Sequence, residues 1–365
     1  IRIIMQNIQK IKEFQDILRR KGIDFFISCN IDFSRFDYDI AYFSGYNGVG
    51  VMIIPARKKP FIIVPRMEKK RIRKKGLKVY CPGKGKRLSD STEEILKRNK
   101  IRNKRIGLNK EGFTLLLKDI FKKSLRGARF IDLRKGLAQL REQKTKEEIE
   151  IIKKGCRISD EIMKRCFRQF RRFKKEGEVK AFLEYEAKKK GCELAFPTIV
   201  ASGSNSAIVH HNTEDARLKK GFCVIDFGIR YRNYCTDTTR TVYLGKPSKK
   251  EIKLYNLLLD VQEKAIKNVK IGKKYAGIVR KVNKELGNYS KYFTHGLGHG
   301  FGIKIHEAPD LTEKSNHKIK DNSVFTIEPG IYLKRYGIRI EDDILVSKRK
   351  VEILTKADKK LLIIP

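Results

Sequence analysis

The stretch from Phe222 to Gly245, FCVIDFGIRYRNYCTDTTRTVYLG, decides how the rest of the chain is read. Cys223, Ile225 and Phe227 alternate with Val224, Asp226 and Gly228; Cys235, Asp237, Thr239 and Thr241 alternate on the way back. Period-two alternation rich in β-branched and aromatic residues predicts two strands joined by a tight reversal. A reversal centred on Tyr231 and Arg232 would set Asp226 directly opposite Asp237 on one face. Opposed carboxylates about 5 Å apart, at an effective dielectric near ~20, repel by about 3 kcal/mol. Two such groups among Val, Ile and Phe call for a cation between them. A different register, or one Asp in solvent, would remove that need, so the hairpin by itself leaves both readings open.

A chain of 365 residues can hold two domains, each with its own core. No apolar run approaches the 18 or so residues of a membrane span, and the longest, near 48–56, is strand-sized. The opening residues 1–22 are basic and amphipathic, with Ile4, Ile8, Ile11, Phe14 and Leu18 at helical spacing. Glu13 and Asp16 argue against a targeting peptide and for a first domain helix over 4–20. Seven cysteines, at 29, 81, 156, 166, 192, 223 and 235, include no Cys-x-x-Cys pair. They are expected to be reduced thiols serving as small core residues in a cytoplasmic protein, not a zinc ribbon or a disulfide framework.

The formal charge is +42. Residues 1–130 carry 33 Lys and Arg against 12 Asp and Glu, and residues 131–365 carry 51 against 30, a net of +21 in each part. The densest run is 66–75. With no finger, recognition-helix or RNA-binding signature, the charge reads as a compositional habit, with only non-specific, salt-sensitive nucleic-acid adhesion expected.

Residues 1–130 read as a small α/β domain. Strand-like runs are 24–28, 40–44, 50–54, 61–64, 79–81 and 105–108, with a helix over 111–123. The segment 131–143 reads as a connection, with Phe130–Asp132 and a helical 133–141 leading out of the domain. From 144 to 365 the pattern changes. Thr145-Lys146-Glu147-Glu148 is a capping-box start for a long amphipathic helix, and 176–189 is a second. A strand over 196–202 precedes the Asp226/Asp237 hairpin. The order then repeats: Ser248 caps a helix over 249–269, a second covers 274–286, and 295–302 is a glycine-rich turn. A second hairpin joins 322–333 to 337–346. In it Glu328 and Glu341, 13 apart, can oppose each other across an even-length reversal unless Pro329 adds a bulge.

Of the six histidines, His210, His295, His299 and His306 fall in Gly- or Ser-rich strand-turn contexts, while His211 and His317 read as ordinary packing or surface residues. With the segments SGSNSAIVH, VIDFG, TDTTRT, HGLGHGFGIKIHE, TIEPGIY and RIED in order between Ser202 and Asp342, the set resembles the pita-bread metallopeptidases: Xaa-Pro dipeptidase (prolidase), aminopeptidase P and methionine aminopeptidase. The segment DYDIAYFSGYNGVGVMII and the following FIIVP are similar, more weakly, to that family's creatinase-type front domain. The resemblance implies an α+β protein: a creatinase-like α/β domain over 1–130, then a pseudo-twofold pita-bread domain over 144–365. It implies two metal ions held by Asp226, Asp237, His299, Glu328 and Glu341.

Beside the resemblance stands an electrostatic balance, since four carboxylates match the charge of two divalent ions. Oxygen ligands with one imidazole suit Mn or Co first, and Fe or Zn as well. Two such ions sharing a water can present a bridging hydroxide at neutral pH. Glu328 is the expected proton shuttle, His306 and His210 the groups facing the oxyanion or substrate, and His295 a supporting neighbour. Arg339 and Thr239 are expected to orient ligand carboxylates, with an ordinary hairpin-edge role the alternative for Arg339.

The function expected is cleavage of Xaa-Pro bonds in small peptides with proline second, by a homodimer with no membrane attachment. Methionine aminopeptidase-like specificity on the same site is the alternative. A non-enzymatic binding module is disfavoured because all five ligand positions are filled.

Overall fold

The structure is a computed structural model that describes residues 6–72 and 77–365. Ile4, counted in the first helix from the sequence, and the last part of the basic run, 73–76, lie outside the described residues. The chain divides into two compact units, Ile1–Arg141 and Glu142–Pro365.

The first unit is a six-stranded sheet with helices on both faces. In chain order it contains α1 (Gln6–Arg20), β1 (Phe25–Asn30), α2 (Tyr38–Ser44), β2 (Gly50–Pro55), β3 (Phe61–Ile63) and β4 (Lys78–Tyr80), then α3 (Leu88–Arg98), β5 (Arg105–Leu108), α4 (Leu115–Ser124), β6 (Arg129–Asp132) and α5 (Arg134–Glu142). The strand order is β4-β3-β2-β1-β5-β6. Phe25, Ile27 and Cys29 pack on one face with Ile95, Leu96, Leu117 and Phe121 of α3 and α4. On the other, Phe26 meets Phe14 and Phe43 at 5.1 and 6.1 Å between ring centres. The period-two pattern of β1 thus feeds two cores.

Three expectations change here. Residues 38–44 form a helix, not a strand. Asp37 accepts the Ile40 N–H at 2.8 Å, and Gly45, at φ 70°, donates back to Ala41 O. A cap and a left-handed terminator close to each other fix a short helix whatever its apolar content. Helix α3 has no counterpart in the sequence reading: its N-cap position is Arg87, without a side-chain cap. Residues 131–141, read as a connection, lie with the first unit, where β6 pairs with β5 from Arg105↔Arg129 to Leu108↔Asp132.

The second unit repeats one plan twice. Its first half holds α6 (Lys146–Arg168), α7 (Glu176–Lys189), β7 (Glu193–Leu194), β8 (Ile199–Ser202), β9 (Gly221–Asp226), β10 (Ile229–Tyr231), β11 (Tyr234–Cys235) and β12 (Thr239–Leu244). Its second holds α8 (Lys249–Lys267), α9 (Tyr275–Leu286), β13 (Gly298–Gly300), β14 (Glu307–Leu311), β15 (Ser323–Ile327), β16 (Gly330–Tyr332), β17 (Gly337–Arg339), β18 (Asp342–Val346), β19 (Val351–Ile353) and β20 (Ile363–Ile364). Capping boxes open α6 and α8. Thr145 and Glu148 exchange bonds of 2.7 and 3.2 Å, and Ser248 and Glu251 bonds of 2.7 and 3.3 Å. Helices α6 and α7 bury Met163, Val179 and Leu183 against Cys223, Ile225 and Phe227. Helices α8 and α9 bury Leu258, Val261 and Val279 against Phe325, Ile340 and Ile344.

Both long hairpins keep one register from end to end. In the first, Thr239 faces Asp226 and Tyr234 faces Tyr231. The reversal is therefore centred on Arg232 and Asn233, at φ 50° and 73°, one step beyond the expected centre. Two consecutive positive φ values mark the mirror-image hairpin turn that matches strand twist, and Asn tolerates them better than most residues. Asp226 and Asp237 are consequently diagonal rather than opposed. The step is two positions in partner number, so both remain on one face. In the second hairpin Gly330 faces Arg339 and Ile327 faces Asp342, which sets Glu328 opposite Glu341, and Pro329 leaves the register intact.

The glycine-rich 295–302 segment contains strand β13, set between β14 and β15. It fits there because Gly298 lies on Thr326: a Cβ at Gly298 would fall 2.1 Å from the Thr326 carbonyl oxygen. Gly298→Ala is expected to push β13 off β15 and lower stability by about 1–3 kcal/mol, the usual range for overpacking. A chemical denaturation series on the variant checks this.

Candidate metal centre

Five acidic or imidazole side chains meet where the two hairpins come together. Asp226 ends β9, and Asp237 precedes β12. Glu328 follows β15, Glu341 precedes β18, and His299 is the middle residue of β13. Asp237, His299 and Glu341 offer ligand atoms that all lie within 4.8 Å of one another. His299 Nε2 is 3.6 Å from Asp237 Oδ2 and 3.3 Å from Glu328 Oε1. Its Nδ1 lies 3.2 Å from the Gly300 carbonyl, an acceptor that places an N–H on that nitrogen and turns Nε2 to the carboxylates.

The hairpins are tied at this point. Glu341 N donates to Thr239 O at 3.1 Å, and Thr239 Oγ1 donates to Glu341 Oε2 at 2.8 Å. Arg339 is buried and donates from Nη2 to Asp226 Oδ2 at 2.7 Å, from Nε to Thr239 Oγ1 at 3.1 Å and from Nη1 to Tyr332 OH at 2.7 Å. Thr326 accepts the His299 N–H and donates to Glu328 Oε1, both at 3.0 Å.

The electrostatics are those of like charges gathered away from water. Burial, then the Glu341 and Asp226 charges, push Asp237 well above the usual carboxylate range. Burial and the Glu328 and Asp226 charges do the same to Glu341. Asp226 is also raised by burial, which outweighs Arg339. Glu328 goes the other way: burial would raise it, but the His299 hydrogen bond and charge hold it at about 2. Burial lowers His299, and the Glu328 partner more than restores it. Asp226 Oδ1 is buried without a hydrogen-bond partner, an acceptor position left for a cation. Carboxylate oxygens, one imidazole nitrogen and an orphaned acceptor suit a divalent metal.

The other residues singled out from the sequence take different places. His210, His295 and His306 all line a cleft of about 470 Å³ that also contains the five side chains. His306 is exposed, its ring 4.2 Å from that of His299 and edge-on to it. Its partial enclosure by the cleft, then the neighbouring His299, lower its pKa. His210 is exposed on the cleft wall. His295 is held away from the carboxylates: Nδ1 is 2.8 Å from Gly296 O, and Nε2 accepts from Tyr332 OH at 2.9 Å. His317 is about half exposed. His211, read as ordinary packing, is buried against Glu176 with Nε2 3.1 Å from Oε2, and its ring also lines the cleft.

Four contributors escaped the sequence reading. Tyr332 bridges Arg339 and His295. Asp343 accepts the Asp237 N–H at 3.0 Å. Glu176 gathers Ser202 N, Ser202 Oγ, Asn205 and His211 at 2.6–3.1 Å. Thr326 could have been found, since it stands two residues before Glu328 and so on the same strand face. Nothing local in the sequence marks Glu176.

Comparison with known proteins agrees with this geometry. The pattern of metallopeptidase family M24 matches residues 150–348, and that of the creatinase/prolidase N-terminal domain matches 10–143. Over 232 residues the chain is 41% identical to a protein named Xaa-Pro dipeptidase from Pyrococcus furiosus; the match spans 62% of this chain and 66% of that one. It is 33% identical to an uncharacterized peptidase of Staphylococcus epidermidis over 96% of this chain and 99% of the other. The crystal structure of an X-Pro aminopeptidase from Thermotoga maritima superimposes with a TM-score of 0.88 at 33% identity, covering 96% of this chain and 100% of that one. The chain therefore belongs to metallopeptidase family M24, with a creatinase/prolidase-type domain ahead of its pita-bread domain.

Proposed function

We propose that this protein is a dinuclear-metal exopeptidase that hydrolyses Xaa-Pro bonds in small peptides. The observation that carries the proposal is the convergence of Asp237, His299 and Glu341 within 4.8 Å, with Glu328 3.3 Å from the same imidazole. Asp226, Asp237, His299, Glu328 and Glu341 would hold the ions, Mn or Co first. When bound, such ions lower the pKa of water and polarise a carbonyl.

The remaining work falls to the chain. Glu328, held ionised, takes a proton from the attacking water and passes it to the leaving amine. His306 and His210 on the cleft wall donate to the oxyanion that develops on the scissile carbonyl. Arg339 fixes Asp226, and Thr239 fixes Glu341, so the carboxylates need no reorganisation. His295 supports this frame through Tyr332. Support for proline at the second position comes from the named relatives and not from a proline pocket in the cleft.

Asp237→Ala is expected to bring Ala-Pro and Ala-Pro-Ala hydrolysis to background, as is full chelation of the wild type; robust turnover after chelation would refute the proposal. Preference between the two peptides assigns dipeptidase or aminopeptidase specificity, and faster release of methionine from Met-Ala-Ser would replace both. Thr239→Val removes a hydroxyl that holds Glu341 and is expected to weaken metal affinity about 10–100-fold, measured by metal titration.

The raised carboxylates also set a pH dependence. A buried acid whose folded pKa is raised stabilises the fold below its unfolded value, and that stability is lost as pH climbs through the folded value. Asp226, Asp237 and Glu341 are of this kind, and a bound cation reverses the loss. The gain in melting temperature on adding Mn to stripped protein should therefore widen from about pH 5 to about pH 8. A constant gain across that range would count against these three groups as ligands.

A further inference from the structure

A row of exposed cations lines one end of the first unit's sheet. Pairing registers place the starts of β3 and β4 beside the end of β2, and the starts of β1, β5 and β6 beside one another. Across that end, in sheet order, stand Lys78, Lys59, Arg57, Arg105 and Arg129, with Lys100 in the loop leading to β5. All six are exposed. Six strands about 4.8 Å apart make this a row of about 24 Å. Three adjoining hollows of about 440, 400 and 380 Å³ share Lys58 in their walls and run along it.

The segregation is sharper than composition requires. The acid in the row is Asp24, which accepts the N–H groups of Lys104 and Arg105 at 2.8 Å each. Arg19 nearby is paired with Asp16, and Arg102 lies 4.0 Å from Asp24. Among the described residues no carboxylate is paired with any of the six. At the opposite end of the sheet three acids are matched, Glu68 with Arg71 at 2.6 Å, Asp132 with Arg134 at 2.7 Å, and Asp39 with Arg141, although Arg66, Lys69 and Lys70 are exposed there too. Helices α1 and α3 also end at the basic rim, and their C-terminal dipoles make the collected cations easier to hold.

We propose that this rim is a binding surface for the phosphate backbone of a single-stranded nucleic acid. A linear row of unpaired cations matches a string of phosphates better than it matches a compact anion. The rim lacks what other polyanions would use. Its strand-end apolar residues Phe25, Phe61 and Ile106 are buried, and Ile8 is the one large apolar side chain exposed on these hollows among the described residues, too little to anchor the rim in a membrane. The ring of Tyr80 is already covered by Lys78 and Arg98, at 5.0 and 5.8 Å, which leaves base stacking out and makes recognition independent of sequence. The surface lies in the first unit and does not depend on the peptidase reading.

The test is fluorescence anisotropy of the full protein with oligouridylate of about 12 nucleotides over a salt series. Single-strand binding loses about 0.7 in logarithmic slope per phosphate contact removed. The triple variant Arg57→Gln, Lys59→Gln, Lys100→Gln should weaken binding at least about 10-fold at 0.1 M salt and flatten the slope by about 2. The control Lys249→Gln, Lys250→Gln, Lys253→Gln removes equal charge from exposed positions on α8 and should leave the slope unchanged. Equal losses in the two triples would reduce the effect to net charge and overturn the proposal. So would tighter binding of poly-glutamate or of anionic lipid vesicles than of the oligonucleotide. Unchanged peptide hydrolysis and melting temperature in the rim variant separate a lost surface from a lost fold.

Discussion

Like-charge repulsion among four carboxylates, two buried and two partly buried, governs the second unit. Asp226, Asp237, Glu328 and Glu341 come from two hairpins about a hundred positions apart, and water is largely excluded from them. Bringing them together costs desolvation and mutual repulsion at once. The surrounding structure is arranged to bear that cost. Each hairpin is clamped from outside by a helix pair with its own apolar core, and the two are laced to each other by Thr239, Thr241 and Arg339. Neither hairpin can relax away from the centre without breaking bonds to the other.

Much of this was legible because the carboxylates had to be carried on strands. Alternation placed Cys223, Ile225 and Phe227 on one face and Asp226 on the other, which is where they lie. The second hairpin was legible down to its register, since Glu328 and Glu341 face each other across an unbroken ladder. In the first hairpin the turn was misplaced by one residue. The signal was present in Asn233, which favours the left-handed conformation that the turn requires. The same-face relation survived because side-chain direction depends only on the parity of the register.

What could not be read was set by contacts distant in sequence. Residues 40–44 look like a strand in composition, and the helix over 38–44 depends on one cap and one glycine. Segment 295–302 reads as a turn from its glycines, yet those glycines let β13 lie against Thr326 and Ala308. Tyr332 gains its place from Arg339 and His295, and Glu176 from a loop some thirty residues on. The charge of the first unit was read as composition because a count cannot show on which end of a sheet the residues fall.

The centre is symmetric in origin and asymmetric in electrostatics. Each hairpin gives two carboxylates, but Asp226 has the guanidinium of Arg339, while the His299 imidazole lies nearest Glu328, at 3.3 Å, and then Asp237, at 3.6 Å. Glu341 has only the neutral Thr239 hydroxyl, and burial with neighbouring carboxylates raises both Asp237 and Glu341, so proton uptake is their easiest relief in the absence of a cation. These two, with His299 beside them, form the tightest cluster of ligand atoms. A cation placed there replaces the protons of the two groups that most resist ionising. Glu328 meanwhile is kept charged by its partner. The two hairpins supply like carboxylates; the unequal partners, Arg339 and His299, set their protonation apart.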